Sequence, residues 1–181
     1  MKHLGTKTLE TPRLQLRRFS LQDAQAMFDN WASDPDVTKY LTWPTHESRE
    51  VTETILRDWI PHYDQNDYYH WAIVPKGNHD EPVGSIAVVA LDDRVAKATV
   101  GYCIGKAWWH QGVTTEALQA VLDFLLEEAG FRRVDAYHDP RNPYSGKVMQ
   151  ACGMQYEGTL RASDRNNQGI CDASWYAILS E

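Results

Sequence analysis

Cysteine is scarce in this chain. Cys103, Cys152 and Cys171 are all there is in 181 residues, an odd number at no framework spacing. A disulfide scaffold is therefore excluded, and free thiols in a reducing compartment are expected. No CxxC pair exists, and the seven histidines include no HExxH or comparable spacing, so no structural or catalytic metal is expected. Positive charge is also short, with 18 Lys and Arg against 25 Asp and Glu and a formal net charge of −7. Such a chain repels phosphate backbones, which removes nucleic acid as the main ligand, whereas an acidic groove attracts an amine or a basic peptide. No apolar run is long enough to span a bilayer, and Met1–Glu10 lacks the apolar stretch of a secretory signal. No membrane partner is expected, and the expected location is the cytoplasm. Internal repeats, low-complexity tracts and long charge blocks are absent too.

What is present fits one domain over residues 1–181, long enough to bury a core without staples. Seven tryptophans and nine tyrosines exceed what such a core needs, so some can line a groove. Leu14 and Leu16 alternate in a first strand, Arg13–Phe19. Ser20 and Asp23 form a near capping box before Ala24, Met27, Phe28 and Trp31, which fall at helical spacing. After an irregular stretch, Asp34–Pro44, Ser48 caps a second helix with Val51, Ile55, Leu56 and Trp59 on one face, ending at Pro61. Three strand-like runs follow: Tyr69–Val74, Val83–Leu91 and Ala98–Ile104. The turn-rich loop Pro75–Pro82 separates the first two.

From Gly112 the period changes. Ala117, Leu118, Val121, Leu122, Leu125 and Ala129 share a helical face, with Gly130 as the C-terminal cap. A short strand Arg133–His138, a helix opened by Asn142-Pro143 and ended by Gly153, and strands Gln155–Leu160 and Cys171–Leu179 complete the chain. This β-α-α-β-β-β-α-β-α-β-β order predicts an α/β fold with a mixed sheet.

The segment with chemical content is Gly101–Ala117, GYCIGKAWWHQGVTTEA, a strand end, a loop and a helix start. The first turn of a helix leaves N–H groups without partners, and with the helix dipole these make an anion site. Gly112 lets the backbone approach a phosphate closely or take a positive φ. Thr114 and Thr115 are small and can donate hydroxyl hydrogen bonds, so a diphosphate suits the site. The dinucleotide fingerprint GxGxxG is absent, and Gly146-Lys147 lacks the remainder of a Walker motif.

WWHQGVTTEA resembles the pyrophosphate loop of the GNAT acetyltransferase superfamily, and more closely its ribosomal-protein-alanine N-acetyltransferase branch. Gly112, Glu116 and Ala117 match; Trp109 stands at the Gln/Arg position, and Thr114 replaces the usual Ala or Gly. LETPRLQLRRFSLQDA near the start, Gly101-Tyr102, NPYSGKVMQACG (Asn142–Gly153), Gly158 and Asp172 extend the similarity over nearly the whole chain.

The resemblance implies a GNAT fold whose mostly antiparallel sheet splits into a V. The implied reaction moves an acetyl group from acetyl-CoA to a primary amine. Main-chain groups of Cys103 and Ile104 would hold pantetheine. Main-chain N–H groups of Gln111, Gly112, Val113, Thr114 and Thr115 would hold the diphosphate. Asn142 would bond the pantetheine arm, although Asn before Pro is equally a helix cap. Ser145 would protonate the departing thiolate, with Tyr144 as the alternative.

Many relatives carry a glutamate where Thr99 stands, which leaves His70, Asp135, Tyr137, His138 or water as the base. Tyr40–Trp43, Trp59 and Tyr68–Trp71 would form the acceptor groove, or else pack as a patch. The favoured acceptor is a protein N-terminal α-amine; an amino acid, polyamine or aminoglycoside is the alternative, and a catalytically idle acyl-CoA sensor is a further one. A serine hydrolase built on Ser145, His138 and Asp139 lacks the GxSxG elbow. A homodimer is the default assembly.

Overall fold

The computed structural model describes residues 1–180. Its strands are Leu9–Glu10 (β1), Leu14–Arg17 (β2), His70–Pro75 (β3), Gly84–Asp92 (β4), Lys97–Ile104 (β5), Arg133–His138 (β6), Gln155–Asn166 (β7) and Gly169–Leu179 (β8). They form one eight-stranded sheet in the order β1-β2-β3-β4-β5-β6-β8-β7. Every neighbouring pair is antiparallel except β5–β6, which is parallel. The mixed sheet predicted from the order of elements is therefore present, and it is mostly antiparallel as the resemblance implies.

Side chains alternate across each strand. Leu14, Leu16, Trp71, Ile73, Val100, Val134 and Ala136 enter one core, and Ala72 and Val74 enter another on the opposite face. The first core is closed by Val113–Asp123 (α4) and Pro143–Ala151 (α5). All six residues assigned to one face of the α4 region are buried, at 0–1% exposure. Each buried leucine there contributes about 1.5–3 kcal/mol relative to exposure. Gly130 ends this region at φ +74°, as its cap role requires.

The second core is closed by Ala24–Met27 (α1) and Arg49–Trp59 (α3), with Trp31 and Leu56 fully buried. Pro35–Thr38 (α2) is a single turn within the stretch expected to be irregular.

Three sequence expectations change. The first helix is a chain of short turns around α1, with Phe28–Ala32 adopting wide π-type geometry, so Phe28 is only partly buried. On α3, Val51 is exposed and Thr52 is buried in its place, where it bonds His46 Nδ1 at 2.7 Å. The last two strands run on to Asn166 and back from Gly169 as a long hairpin. Its extension was invisible to alternation because most of Tyr156–Arg165 is exposed and two register shifts interrupt it.

Candidate active site

The sheet opens beside β5. β4 pairs with β5 through Ile104, whereas β6 pairs with β5 only at Lys97, Ala98 and Thr99. Beyond Thr99 the two strands part, which is the V expected from the resemblance. Main-chain groups alternate in direction along a strand. Gly105 N–H donates to the Val83 carbonyl at 2.8 Å, so Gly101, Cys103 and Gly105 pair toward β4. Tyr102 and Ile104 turn their N–H and C=O groups into the gap. Ile104 thus lies where expected, but the main chain of Cys103 is directed to Ser85 on β4. The Ile104 carbonyl accepts from Trp109 Nε1 at 3.0 Å, which ties the following loop to the strand end.

That loop delivers the N-terminus of α4. Gly112 sits at φ +74°, ψ 7°, a left-handed conformation that glycine adopts at little cost. The N–H groups of Val113, Thr114 and Thr115 follow in the first helical turn, where no intrahelical acceptor exists. Glu116, given no role from sequence, anchors the turn. Its carboxylate accepts from Thr11 Oγ1 (2.6 Å), Arg13 N (2.9 Å) and Arg13 Nε (2.6 Å). Arg13 also donates to the Gln111 carbonyl at 2.9 Å. Burial alone would raise the Glu116 pKa, but these donors hold it below the usual carboxylate value.

Across the gap, Asn142 precedes α5 and Pro143 starts it. Asn142 makes no side-chain cap bond, so its amide is not consumed by capping. Ser145 lies in the first turn. Its Oγ donates to Tyr102 Oη at 3.2 Å, and Tyr102 Oη donates to the Ser145 carbonyl at 2.9 Å. Tyr144 borders the same opening: it is 55% exposed, and its ring meets His110 at 4.5 Å.

One cavity of about 730 Å³ unites these parts. It is lined by Tyr102, Cys103, Ile104, Gly112–Thr115, Asn142 and Ser145, with Lys147 as an additional cation. Gln111 is the exception among the expected residues. Its side chain donates back to the Ala107 carbonyl at 2.7 Å, and it lines a smaller cavity beside Arg13 and Lys76. The free helix-terminal N–H groups, the left-handed glycine and the opened strand edge fit a long phosphorylated thioester.

The base candidates are placed differently. Thr99 is buried and donates to Asp135 Oδ1 at 2.6 Å; Arg133 Nε donates to the same carboxylate at 3.1 Å. Tyr137 stacks on Trp175 at 4.5 Å, and burial raises its phenol pKa. His138 packs beneath α5, with Nε2 only 2.6 Å from where a Cβ on Gly146 would sit. His70 bonds Ser85 Oγ (2.7 Å) and Tyr68 Oη (3.0 Å) under the Trp59 ring. None of these side chains, nor Thr99, lines the large cavity.

Burial lowers the His70 pKa from 6.5 to about 3. His70 is therefore neutral in the folded state, whereas the unfolded chain protonates it below pH 6.5. Its contribution to stability is complete above 6.5 and declines as pH falls from there toward 3, by about 1.4 kcal/mol per unit. Urea unfolding of wild type and His70→Gln at pH 7.5 and 5.0 should show a shallower pH dependence in the variant. Equal slopes would contradict a buried neutral imidazole.

The expected acceptor aromatics divide. Tyr40 and Leu41 line the cavity, Trp43, Trp59 and Tyr68 pack on the second core, and Tyr69 and Trp71 are core residues. The tip of the β7–β8 hairpin clasps this segment. Asn167 Nδ2 donates to the carbonyls of Thr38 and Trp43, both at 2.8 Å, and Asn167 N–H donates to that of Leu41 at 3.1 Å. Among the described residues, no group of three or more His, Cys, Asp or Glu side chains could hold a metal, and no helix is long and apolar enough to cross a membrane.

A family model described as the acetyltransferase (GNAT) domain matches residues 13–155, and the chain belongs to that family. It is 29% identical over 177 residues to the uncharacterized N-acetyltransferase p20 of Bacillus licheniformis, covering 96% of each chain. It is 25% identical to the ribosomal-protein-serine acetyltransferase of Escherichia coli, over 77% of this chain and 76% of that one. Its fold matches the crystal structure of an acetyltransferase (GNAT family) from Bacillus anthracis with a TM-score of 0.83 at 24% identity, covering 96% and 98% of the two chains. The protein is an acetyl-CoA-dependent N-acetyltransferase.

Proposed function

We propose that this enzyme, acting as one domain, acetylates the α-amine at the N-terminus of a protein. The observation that carries the transferase site is the single cavity that joins the opened edge of β5, the first turn of α4 and Ser145. The relative named a ribosomal-protein-serine acetyltransferase supports the choice of acceptor.

Val113, Thr114 and Thr115 bind the diphosphate through main-chain N–H groups, with Gly112 setting their approach. Lys147, which lines the same cavity from α5, adds positive charge. Main-chain groups of Tyr102 and Ile104 grip the pantetheine amides in the manner of an added strand. Cys103 contributes its side chain to the cavity wall, and the Asn142 amide bonds the arm. Gln111 supports the loop through its carbonyl, which accepts from Arg13, and through its side chain, which donates to the Ala107 carbonyl. A gap-facing N–H of β5 polarises the thioester carbonyl as the amine attacks. Ser145 gives its hydroxyl proton to the departing thiolate.

No side chain at Thr99 takes the ammonium proton. An α-amine has a pKa of about 8, so a useful neutral fraction exists near pH 7 and its proton passes to water. Alignment of the two reactants then supplies much of the rate.

The test is CoA release from acetyl-CoA with mass detection of the product. The acceptors are short peptides with free or blocked N-termini, amino acids, polyamines and aminoglycosides. Acetylation confined to free-N-terminus peptides is expected. Turnover of a small amine instead would reassign the acceptor, and acetyl-CoA binding without turnover of any acceptor would favour an idle sensor.

A further inference from the structure

We propose that Tyr102 is a positioning residue for catalysis, holding the Ser145 hydroxyl in its working orientation. The inference rests on the reading of Ser145 as proton donor and adds a residue that acts through it. Tyr102 comes from the opened half of β5, and Ser145 from the first turn of α5, 43 residues later. Two hydrogen bonds join them in a small ring. The phenol proton is committed to the Ser145 carbonyl at 2.9 Å, and the phenol oxygen accepts from Ser145 Oγ at 3.2 Å.

This pair has a defined division of protons. Burial raises the Tyr102 pKa far more than the Ser145 hydrogen bond lowers it, so the phenol stays protonated throughout the working pH range. A neutral phenol whose own proton is engaged can serve Ser145 only as an acceptor. It therefore selects one Ser145 rotamer on the cavity wall and clamps the first turn of α5 against the strand that borders the gap.

During transfer the Ser145 O–H bond breaks and an S–H bond forms on the leaving thiolate. Tyr102 keeps its proton, and Ser145 regains one from water. The longer of the two bonds, Ser145 Oγ to Tyr102 Oη, is the one that must yield for this donation. Its length of 3.2 Å lies beyond the usual 2.5–3.0 Å range for a hydroxyl pair, so it orients the proton without holding it strongly. Tyr102 matched the family pattern in the sequence only as the second letter of Gly101-Tyr102, which carries no hint of a partner in α5.

Tyr102→Phe keeps the ring and removes both bonds. It should lower kcat about tenfold, the usual scale of one lost hydrogen bond, with KM for acetyl-CoA changed less than about twofold and a melting curve close to wild type. In a Ser145→Ala background the same substitution should change kcat little, because the residue it orients is gone. An unchanged kcat in Tyr102→Phe overturns the proposal. So does an equal loss in both backgrounds, which would mean Tyr102 acts independently of Ser145. If Ser145→Ala alone turns over normally, the assignment of Ser145 fails, and the Tyr102 proposal falls with it. If Ser145→Ala is slow and Tyr102→Phe is not, only the Tyr102 proposal fails. Should Tyr102→Phe melt early, single-turnover measurements below its melting range, in both Ser145 backgrounds, give the same comparison.

Discussion

Gly112→Glu should abolish acetyl-CoA binding in a protein that still folds. At φ +74° any L side chain is strained, at a cost of about 1–2 kcal/mol, which a domain of ordinary stability survives. The damage is local. A Cβ on this residue would lie 3.4 Å from Arg13 Nη2. The new carboxylate would compete with Glu116 and the Gln111 carbonyl for that guanidinium, and so unseat the loop. It would also place a negative charge beside the first turn of α4. Two like charges about 6 Å apart at an effective dielectric near 20 repel by about 3 kcal/mol, roughly a hundredfold in Kd, and a diphosphate carries more than one charge.

Gly112→Asn is the matched control, since Asn tolerates the left-handed region and adds no charge. Calorimetric titration with acetyl-CoA should show near-normal affinity for Asn and none measurable for Glu. Binding retained in a folded Glu variant would remove the diphosphate from this loop.

Ser145→Ala should lower kcat by about a hundredfold or more, within the range of general acid catalysis, and leave KM for acetyl-CoA nearly unchanged. The hydroxyl matters only as charge develops on sulfur, so its loss falls on the transition state rather than on ground-state binding. The substitution removes one oxygen from a half-buried site and leaves a helix-favouring residue, so folding should be little affected. Pre-steady-state mixing separates transfer from product release. An unchanged transfer rate would move the proton donor to Tyr144, which lines the same cavity beside His110, or to water.

The fold and half of the site were legible where the signal is local. The buried face of α4, its left-handed glycines at both ends and Pro143 at the start of α5 each follow from a few neighbouring residues. The gap beside β5 came from resemblance, because no spacing rule says where a parallel pair stops pairing. Reading Val51 as buried failed for a different reason: Thr52 is held inside by His46, a partner six residues away that hydrophobic patterning does not weigh. The acceptor aromatics were grouped by residue type, and the packing then divided them between cavity and core.

The sequence by itself determined an acidic α/β chain with an anion-binding helix start and a serine in the next helix turn. Those features depend on composition, period and nearest neighbours. Tertiary structure alone decided which main-chain groups face the gap, because strand pairing sets that alternation and a shift of one residue reverses it. It also decided that Asn167 closes over Thr38–Trp43 and that Tyr102 meets Ser145. Both contacts join residues far apart in the chain, and a hydrogen bond of that kind exists only after the sheet has brought its two partners together.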